Sequence, residues 1–295
     1  MTRLLRFLIE YDGTNYHGWQ SQASPNREAS DLHQTIQGTI EDVLSGITKH
    51  PANVVAAGRT DAGVHATGQV LHFKTNLHIS ESSWVKAMNS LLPADIVVRK
   101  AEYVSEDFHA RFDAKSKVYR YFILNSGLPS AFQRNYAWHI KRPLNISLIK
   151  EASQYLIGHH DFSSFRASDC GAKSPVKTLD RIEIDEVSLE NPESNPPLPP
   201  FSKGGNLFPP FEKGGMGGLF LSSSVSLEPA QILLLTFEAR SFLQHMVRNI
   251  VGTLAEVGRG KISPPDIKTI LEKRDRRYAG PIAPPQGLYL TEVRY

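Results

Sequence analysis

One short stretch of the sequence, AAGRTDAGVHATGQVLHF at residues 56–73, combines residue types that could do chemistry. Asp61 lies between Gly58 and Gly63, two residues after Arg59. Glycine permits positive φ angles and lets a ligand approach the backbone closely. An ionised carboxylate on such a loop can act as a nucleophile, a base or an electrostatic stabiliser. The stretch therefore indicates a candidate catalytic loop.

The spacing of these residues by itself favours an ordinary structural role. Asp61 could close an Asx turn within its own loop, with Arg59 as a surface ion-pair partner. A glycosidase would need a second carboxylate as proton donor, and Glu10 and Asp12 are available in the sequence. We expect His65 to be structural rather than catalytic.

Hydrophobic periodicity and turn residues predict the elements that must position this loop. The first half reads strand, helix, strand, strand, helix, strand, and the second half repeats that order. Two βαββαβ-like halves predict a pseudo-symmetric α+β fold with a cleft between the halves as a natural site. We place the division at residue 110, with the Asp61 loop in 1–110 and a tyrosine-containing strand and basic helix in 111–295.

Two segments of the second half stand out. SFLQHMVRNIVGTLAEVG, residues 241–258, predicts the clearest helix of the chain because its apolar residues share one wide face. Residues 190–229 interrupt the pattern, and PPFSKGG recurs there as PPFEKGG. Their Pro, Gly and Ser content predicts a disordered extension. A partner-binding arm that uses its phenylalanines is the alternative.

Composition narrows the class of protein. The chain has 295 residues, 40% hydrophobic residues and a net charge of +3, which is typical of a globular protein. Basic residues concentrate in 240–277 and 111–120, and the second stretch lies next to tyrosines. That pattern suits RNA, although a solvated basic face would look similar. The single cysteine, Cys170, fits a reducing cytoplasm. We expect no signal peptide, membrane span or zinc site.

Five motifs in order resemble those of the tRNA pseudouridine synthase A family. They run through nearly the whole chain and are YDGTNYHGWQ, AGRTDAGVHATGQVLHF, FHARFDAKSKVYRYFI, GHHDFSSFRASDC and RSFLQHMVRNIVGTLAEVG. The resemblance implies the pseudouridine synthase α+β fold, with a mostly antiparallel sheet and a central cleft. It also implies a homodimer that binds tRNA and uses no cofactor and no metal.

The resemblance assigns roles residue by residue. Asp61 matches the essential aspartate, and Arg248 matches the basic residue paired with it. Arg59 matches the arginine that helps to fill the space left by a flipped base. Tyr119 matches the tyrosine that packs on the target uracil. Gly171 stands where the family commonly has glutamine.

The implied activity is an isomerase, an intramolecular transferase that converts uridine to pseudouridine at tRNA positions 38, 39 and 40 of the anticodon arm. Base flipping exposes the uridine. Whether Asp61 would attack C1′ or take a proton from C2′ is left open. Two rival classes are a non-catalytic pair of RRM-like modules and a nucleoside hydrolase. The sequence has no RNP-like aromatic run, whereas the aspartate loop is complete.

Overall fold

A computed structural model describes residues 2–20, 35–188 and 231–295. Within these ranges, ten strands form one sheet in the order β4-β1-β3-β10-β5-β9-β8-β7, with β2 paired to β3 and β6 paired to β5. The strands are β1 (Arg3–Tyr11), β2 (Val55–Ala56), β3 (His65–Thr75), β4 (Ile96–Val104), β5 (Ser116–Asn125), β6 (Trp138–Ile140), β7 (Gly158–Asp161), β8 (Val176–Ser188), β9 (Gln231–Ala239) and β10 (Leu288–Arg294).

Helices separate these strands along the chain. The α-helices are α1 (Ile36–Thr48), α2 (Glu81–Leu91), α3 (Ile146–Gln154), α4 (Met246–Gly258) and α5 (Asp266–Lys273). Short 3-10 helices lie at Ser163–Phe165, Arg276–Tyr278 and Pro285–Gly287. The mixed helix and strand content and the large sheet confirm the predicted α+β class.

The first half follows the predicted order, β1, α1, β2, β3, α2, β4. Thr35 caps α1 through its hydroxyl, which accepts from the Gly38 N–H. Ser80 caps α2 in the same way, and α2 ends two residues before Pro93, which cannot continue a helix. The apolar faces of both helices pack on the core that includes β1 and β3.

The second half departs from a simple repeat. It contains two additional short strands, β6 and β7. The last strand, β10, lies between β3 and β5, so it joins strands from both halves into one sheet. It pairs in parallel with β3 and antiparallel with β5. Most other pairings are antiparallel, which confirms the predicted sheet type.

Helix α4 begins later than predicted. The apolar pattern predicted a helix over 241–258, but α4 starts at Met246. His245 has a φ of +62° and therefore lies in the left-handed region. The preceding Phe242 packs its ring edge-on to Tyr119, with ring centroids 5.0 Å apart. Phe242 is thus apolar because it packs on β5, not because it continues the helix.

Tyr119, Tyr121 and Ile123 of β5 point into the larger core, which also contains the apolar face of α4. Phe122 and Leu124 point to the opposite face and belong to a smaller cluster with Tyr289. This alternation follows from the two-residue period of a strand. It places Tyr119 on the same face as α4. The predicted disordered extension at 190–229 lies outside the described residues.

Candidate active site

The loop that carries Asp61 joins β2 to β3 and is held by the segment that follows β1. The backbone N–H of Trp19 donates to the Thr60 carbonyl at 2.9 Å. The Tyr11 hydroxyl and Thr60 Oγ1 share a buried hydrogen bond of 2.7 Å. Burial raises the pKa of Tyr11 to about 12, so its hydroxyl remains protonated at neutral pH. The residue before Asp61 is therefore fixed on two sides.

Two glycines allow the segments to meet this closely. Gly18 has a φ of +90°, and a Cβ at this position would lie 2.7 Å from the Thr60 carbonyl oxygen. Gly63 has a φ of +74°, and a Cβ there would lie 3.0 Å from the ring of Pro285. A larger residue at either position would strain the backbone and displace its neighbour. These positions explain why glycines occur in both motifs.

Asp61 pairs with Arg248 from the first turn of α4. Arg248 Nη1 lies 2.9 Å from Asp61 Oδ2, and Arg248 Nε donates to the Ala283 carbonyl at 2.8 Å. The side chains of Arg248 and Asp61 are 11% and 25% exposed, respectively. The guanidinium is thus fixed by a backbone acceptor while it holds the carboxylate. Such a charge-assisted bond is about twice as strong as a neutral one.

His245 is a second neighbour of Asp61, and it is not among the site residues predicted from the sequence. Its Nε2 lies 3.5 Å from Asp61 Oδ2, and its side chain is 30% exposed. The residue immediately precedes α4 and adopts the left-handed conformation. The sequence signal that could have found it is a polar residue inside an apolar run, three residues before Arg248.

Tyr119 lies beneath the same loop. It is 8% exposed, and a Cβ at Gly58 would lie 3.5 Å from its hydroxyl oxygen. Burial raises the pKa of Tyr119, and the nearby Tyr11 and Asp61 act in the same direction. The hydroxyl therefore stays protonated at neutral pH and can donate a hydrogen bond. By contrast, Tyr121 is completely buried and donates its hydroxyl to the Pro284 carbonyl at 2.7 Å.

Arg59 does not join this cluster. It is exposed, and within the described part of the chain it makes no ion pair or side-chain hydrogen bond. The surface pair between Arg59 and Asp61 is thus absent. The Asx turn is absent as well, because the described contacts of the Asp61 carboxylate are with Arg248 and His245 and include no backbone N–H.

The two carboxylates available for a glycosidase pair are engaged elsewhere. Glu10 pairs with Arg99. Asp12 accepts from the Tyr136 hydroxyl at 2.7 Å and from the Thr14 N–H at 2.9 Å. Burial opposes the charge of Asp12, but its side-chain hydrogen bonds outweigh burial and hold its pKa below the usual range. Neither carboxylate shares a partner with Asp61.

Comparison with known proteins decides the family. The model of a family described as tRNA pseudouridine synthase matches residues 8–113 and 152–295. The chain belongs to the tRNA pseudouridine synthase family. Asp61, His245 and Arg248 all lie within the matched residues. The interval between the two matched segments contains β5 and Tyr119.

Relatives in this family extend the similarity through that interval. A protein named tRNA pseudouridine synthase A from Alcanivorax borkumensis is 42% identical over 287 residues, which cover 97% of this chain and 89% of that protein. Its namesake from Acetivibrio thermocellus is 41% identical over 293 residues, 99% of this chain and 100% of that protein. One from Coxiella burnetii is 38% identical, with 97% and 91% covered.

The described residues were also searched for metal-binding groups of side chains and for helices that could span a membrane. Within 2–20, 35–188 and 231–295, no group of three or more His, Cys, Asp or Glu side chains is arranged to hold a metal ion. None of the helices in the same ranges is long and apolar enough to cross a bilayer.

Gly171 is exposed, and a Cβ there would meet no atom within 4 Å.

Proposed function

We propose that this protein is a tRNA pseudouridine synthase that isomerises uridine in the anticodon arm and that Asp61 is its catalytic residue. The observation that carries the proposal is the Asp61 carboxylate held at 2.9 Å by Arg248 on a glycine-flanked loop. Family membership supports the reaction and the tRNA substrate. The geometry supports the choice of residue.

The reaction breaks the bond between uracil N1 and C1′, rotates the base and joins C5 to C1′. The proton on C5 leaves to solvent and N1 gains one, so substrate and product have the same mass. A carboxylate can start this reaction by attack on C1′ or by removal of the C2′ proton. Both routes use a carboxylate oxygen of Asp61, and Arg248 holds one of these oxygens at 2.9 Å.

Tyr119 and Arg59 act on the flipped nucleotide in this proposal. The Tyr119 ring stacks on the detached uracil, and its protonated hydroxyl lies beside the loop that carries Asp61. Stacking holds a base without regard to its hydrogen-bonding edge. Arg59 is exposed and lacks a described partner, so it is free to enter the space that the base leaves. Extrusion costs a few kcal/mol, which this contact partly offsets.

Tritium release from tRNA that carries 5-tritiated uridine tests the proposal. The wild-type protein should release tritium and leave the RNA mass unchanged. Asp61→Asn keeps the size of the side chain but removes its charge, so this variant should fold and bind tRNA. Its turnover should be at least a thousandfold lower, which corresponds to an increase of about 4 kcal/mol in the activation barrier. Asp185→Asn, at an exposed position of β8, is the matched control and should retain the wild-type rate.

Each rival function gives a different result in that assay. Loss of uracil mass from the RNA would indicate a hydrolase, and binding without tritium release would indicate a non-catalytic RNA-binding protein. A folded Asp61→Asn protein that releases tritium at the wild-type rate would end the assignment of Asp61.

We further propose a homodimer that acts in the cytoplasm, with two structural halves divided at residue 110. Family resemblance supports the dimer and the location. Light scattering on the purified protein tests the dimer, and a mass of one chain at micromolar concentration would contradict it. The proposed division at residue 110 is tested by expressing each half separately. Because β10 pairs with strands of both halves, we expect that neither half folds alone.

A further inference from the structure

Lys117 is a largely buried lysine whose ammonium group lies next to the Asp61 loop. It lies on β5 two residues before Tyr119 and therefore on the same face of the strand. The residue is 8% exposed, and a Cβ at Gly58 would lie 3.7 Å from its Nζ. Within residues 2–20, 35–188 and 231–295, Nζ has no hydrogen-bond or ion-pair partner. Lys117 thus carries a charge that the protein itself does not neutralise.

The surroundings of Lys117 make this charge unfavourable in the free protein. Burial lowers the pKa of Lys117 to about 8, and the charge of Arg111 acts in the same direction. Buried charges are ordinarily paired, because an unpaired one loses its hydration without compensation. Two like charges without a shared acid also repel. An anion bound from outside would relieve both effects.

Two other basic residues belong to the same region. Arg59 follows Gly58 directly, and the charge of Arg111 acts with burial to lower the pKa of Lys117. Both arginines are exposed, and neither has an acidic partner among the described residues. The Arg111 guanidinium lies 5.8 Å from the ring centroid of Phe112, which is 67% exposed. A cation beside an exposed aromatic ring suits a nucleic-acid surface.

Gly58 brings the loop close to both groups. A Cβ at position 58 would make ordinary van der Waals contacts with the Tyr119 hydroxyl at 3.5 Å and with the Lys117 ammonium at 3.7 Å. The Tyr119 hydroxyl also has no hydrogen-bond partner in the described part of the chain. Two polar donors on largely buried residues therefore lie next to the same glycine of the loop. That arrangement indicates a ligand that brings acceptor oxygens.

We propose that Lys117 and Arg111 bind a backbone phosphate of the RNA beside the uridine on which Asp61 acts. This inference rests on the proposed function. A lysine ammonium suits phosphate as a compact point charge. The phosphate would fix the sugar of the extruded nucleotide against the loop, with Tyr119 next to it. Lys117 is then a substrate-binding residue that the free protein keeps at a cost in stability.

The salt dependence of tRNA binding tests this inference. Each phosphate contact contributes close to one unit to the slope of log K against log salt. Binding of tRNA is measured in variants that also carry Asp61→Asn, so that no turnover occurs during the measurement. Lys117→Met removes the charge and keeps the length of the side chain. Arg111→Ala changes an exposed residue, so we expect this variant to fold. Lys86→Met, on the exposed face of α2, is the control.

Lys117→Met and Arg111→Ala should each reduce the slope by about one unit and weaken binding about tenfold at fixed salt, the size of one charge-assisted contact. Lys86→Met should change neither quantity. Lys117→Met should also melt at or above the temperature of its parent, because an unpaired buried charge has been removed. A structural lysine would do the reverse: its loss would lower the melting temperature and leave the slope unchanged.

Two results together would overturn the inference. Arg111→Ala would leave the salt slope unchanged, and Lys117→Met would either leave it unchanged or fail to fold. Tritium release by the wild-type protein is measured alongside. Reduced slopes in a protein that forms no pseudouridine would refute the proposed reaction and keep the phosphate site. Unchanged slopes in an active enzyme would refute the phosphate site alone.

Discussion

Arg248 is the residue on which the position of the Asp61 carboxylate depends. Its guanidinium contacts Asp61 with one nitrogen and the Ala283 carbonyl with another. Arg248→Met should leave Asp61 without this contact, which is worth about 1.5–3 kcal/mol. We expect single-turnover tritium release to fall about 10- to 100-fold, with tRNA affinity retained.

Arg248→Lys is the informative companion variant. A lysine keeps the charge but lacks the planar fork that reaches two acceptors at once, so it should restore only part of the rate. Arg99→Met removes an exposed arginine that pairs with Glu10 and serves as the control. A wild-type rate in Arg248→Met would show that Asp61 does not need its partner.

Asp12 ties the end of β1 to the segment before β6. It accepts from the Tyr136 hydroxyl and from Thr14. Despite the opposing effect of burial, these hydrogen bonds and the one with His65 keep the pKa of Asp12 below that of an unfolded aspartate, about 3.9. The stabilisation is therefore complete above that value and is lost as pH falls through the folded pKa.

Asp12→Asn should accordingly destabilise the protein by about 1–3 kcal/mol at pH 7. The difference from wild type should shrink as the pH is lowered below about 4. Urea unfolding at pH 7 and at pH 3 measures both values. Asp185→Asn is the control, since that side chain is exposed. A difference that grows towards acid would mean that Asp12 is not stabilised as its anion.

The pairing of β8 with β9 brings together the two ends of the long segment between them. Ser188 and Gln231 are register partners at the ends of these strands. A two-residue Asn-Gly turn could join such partners directly. Replacing residues 189–230 with Asn-Gly should keep the melting temperature and the turnover near wild type, because closing a shorter loop costs less entropy.

Thermal unfolding, tritium release and tRNA affinity measure the effect of that replacement. The matched control deletes only residues 199–215, which contain both copies of the Pro-Pro-Phe repeat, and leaves the rest of the segment in place. Loss of affinity at constant stability would mean that the segment binds tRNA. Loss of stability would mean that it packs on the fold. Either result would contradict the prediction of a disordered extension.

Much of the fold followed from local pattern. The order of elements in the first half was predictable because each helix and strand there has its own periodicity and its own cap or turn residue. The predicted start of α4 was wrong because Phe242 is apolar for a tertiary reason, its contact with Tyr119. Strands β6 and β7 were missed because they are short, with three and four residues.

The family and the candidate catalytic loop were predictable from the sequence, since the motif that surrounds Asp61 is continuous in the chain. The surroundings of the carboxylate were not, because they depend on the packing of distant segments. Tertiary structure brings His245 to Asp61, leaves Arg59 without a partner among the described residues and places Lys117 beneath Gly58. The physical reason is that these contacts join residues far apart in sequence, and they exist only because β10 and α4 pack the two halves around one sheet.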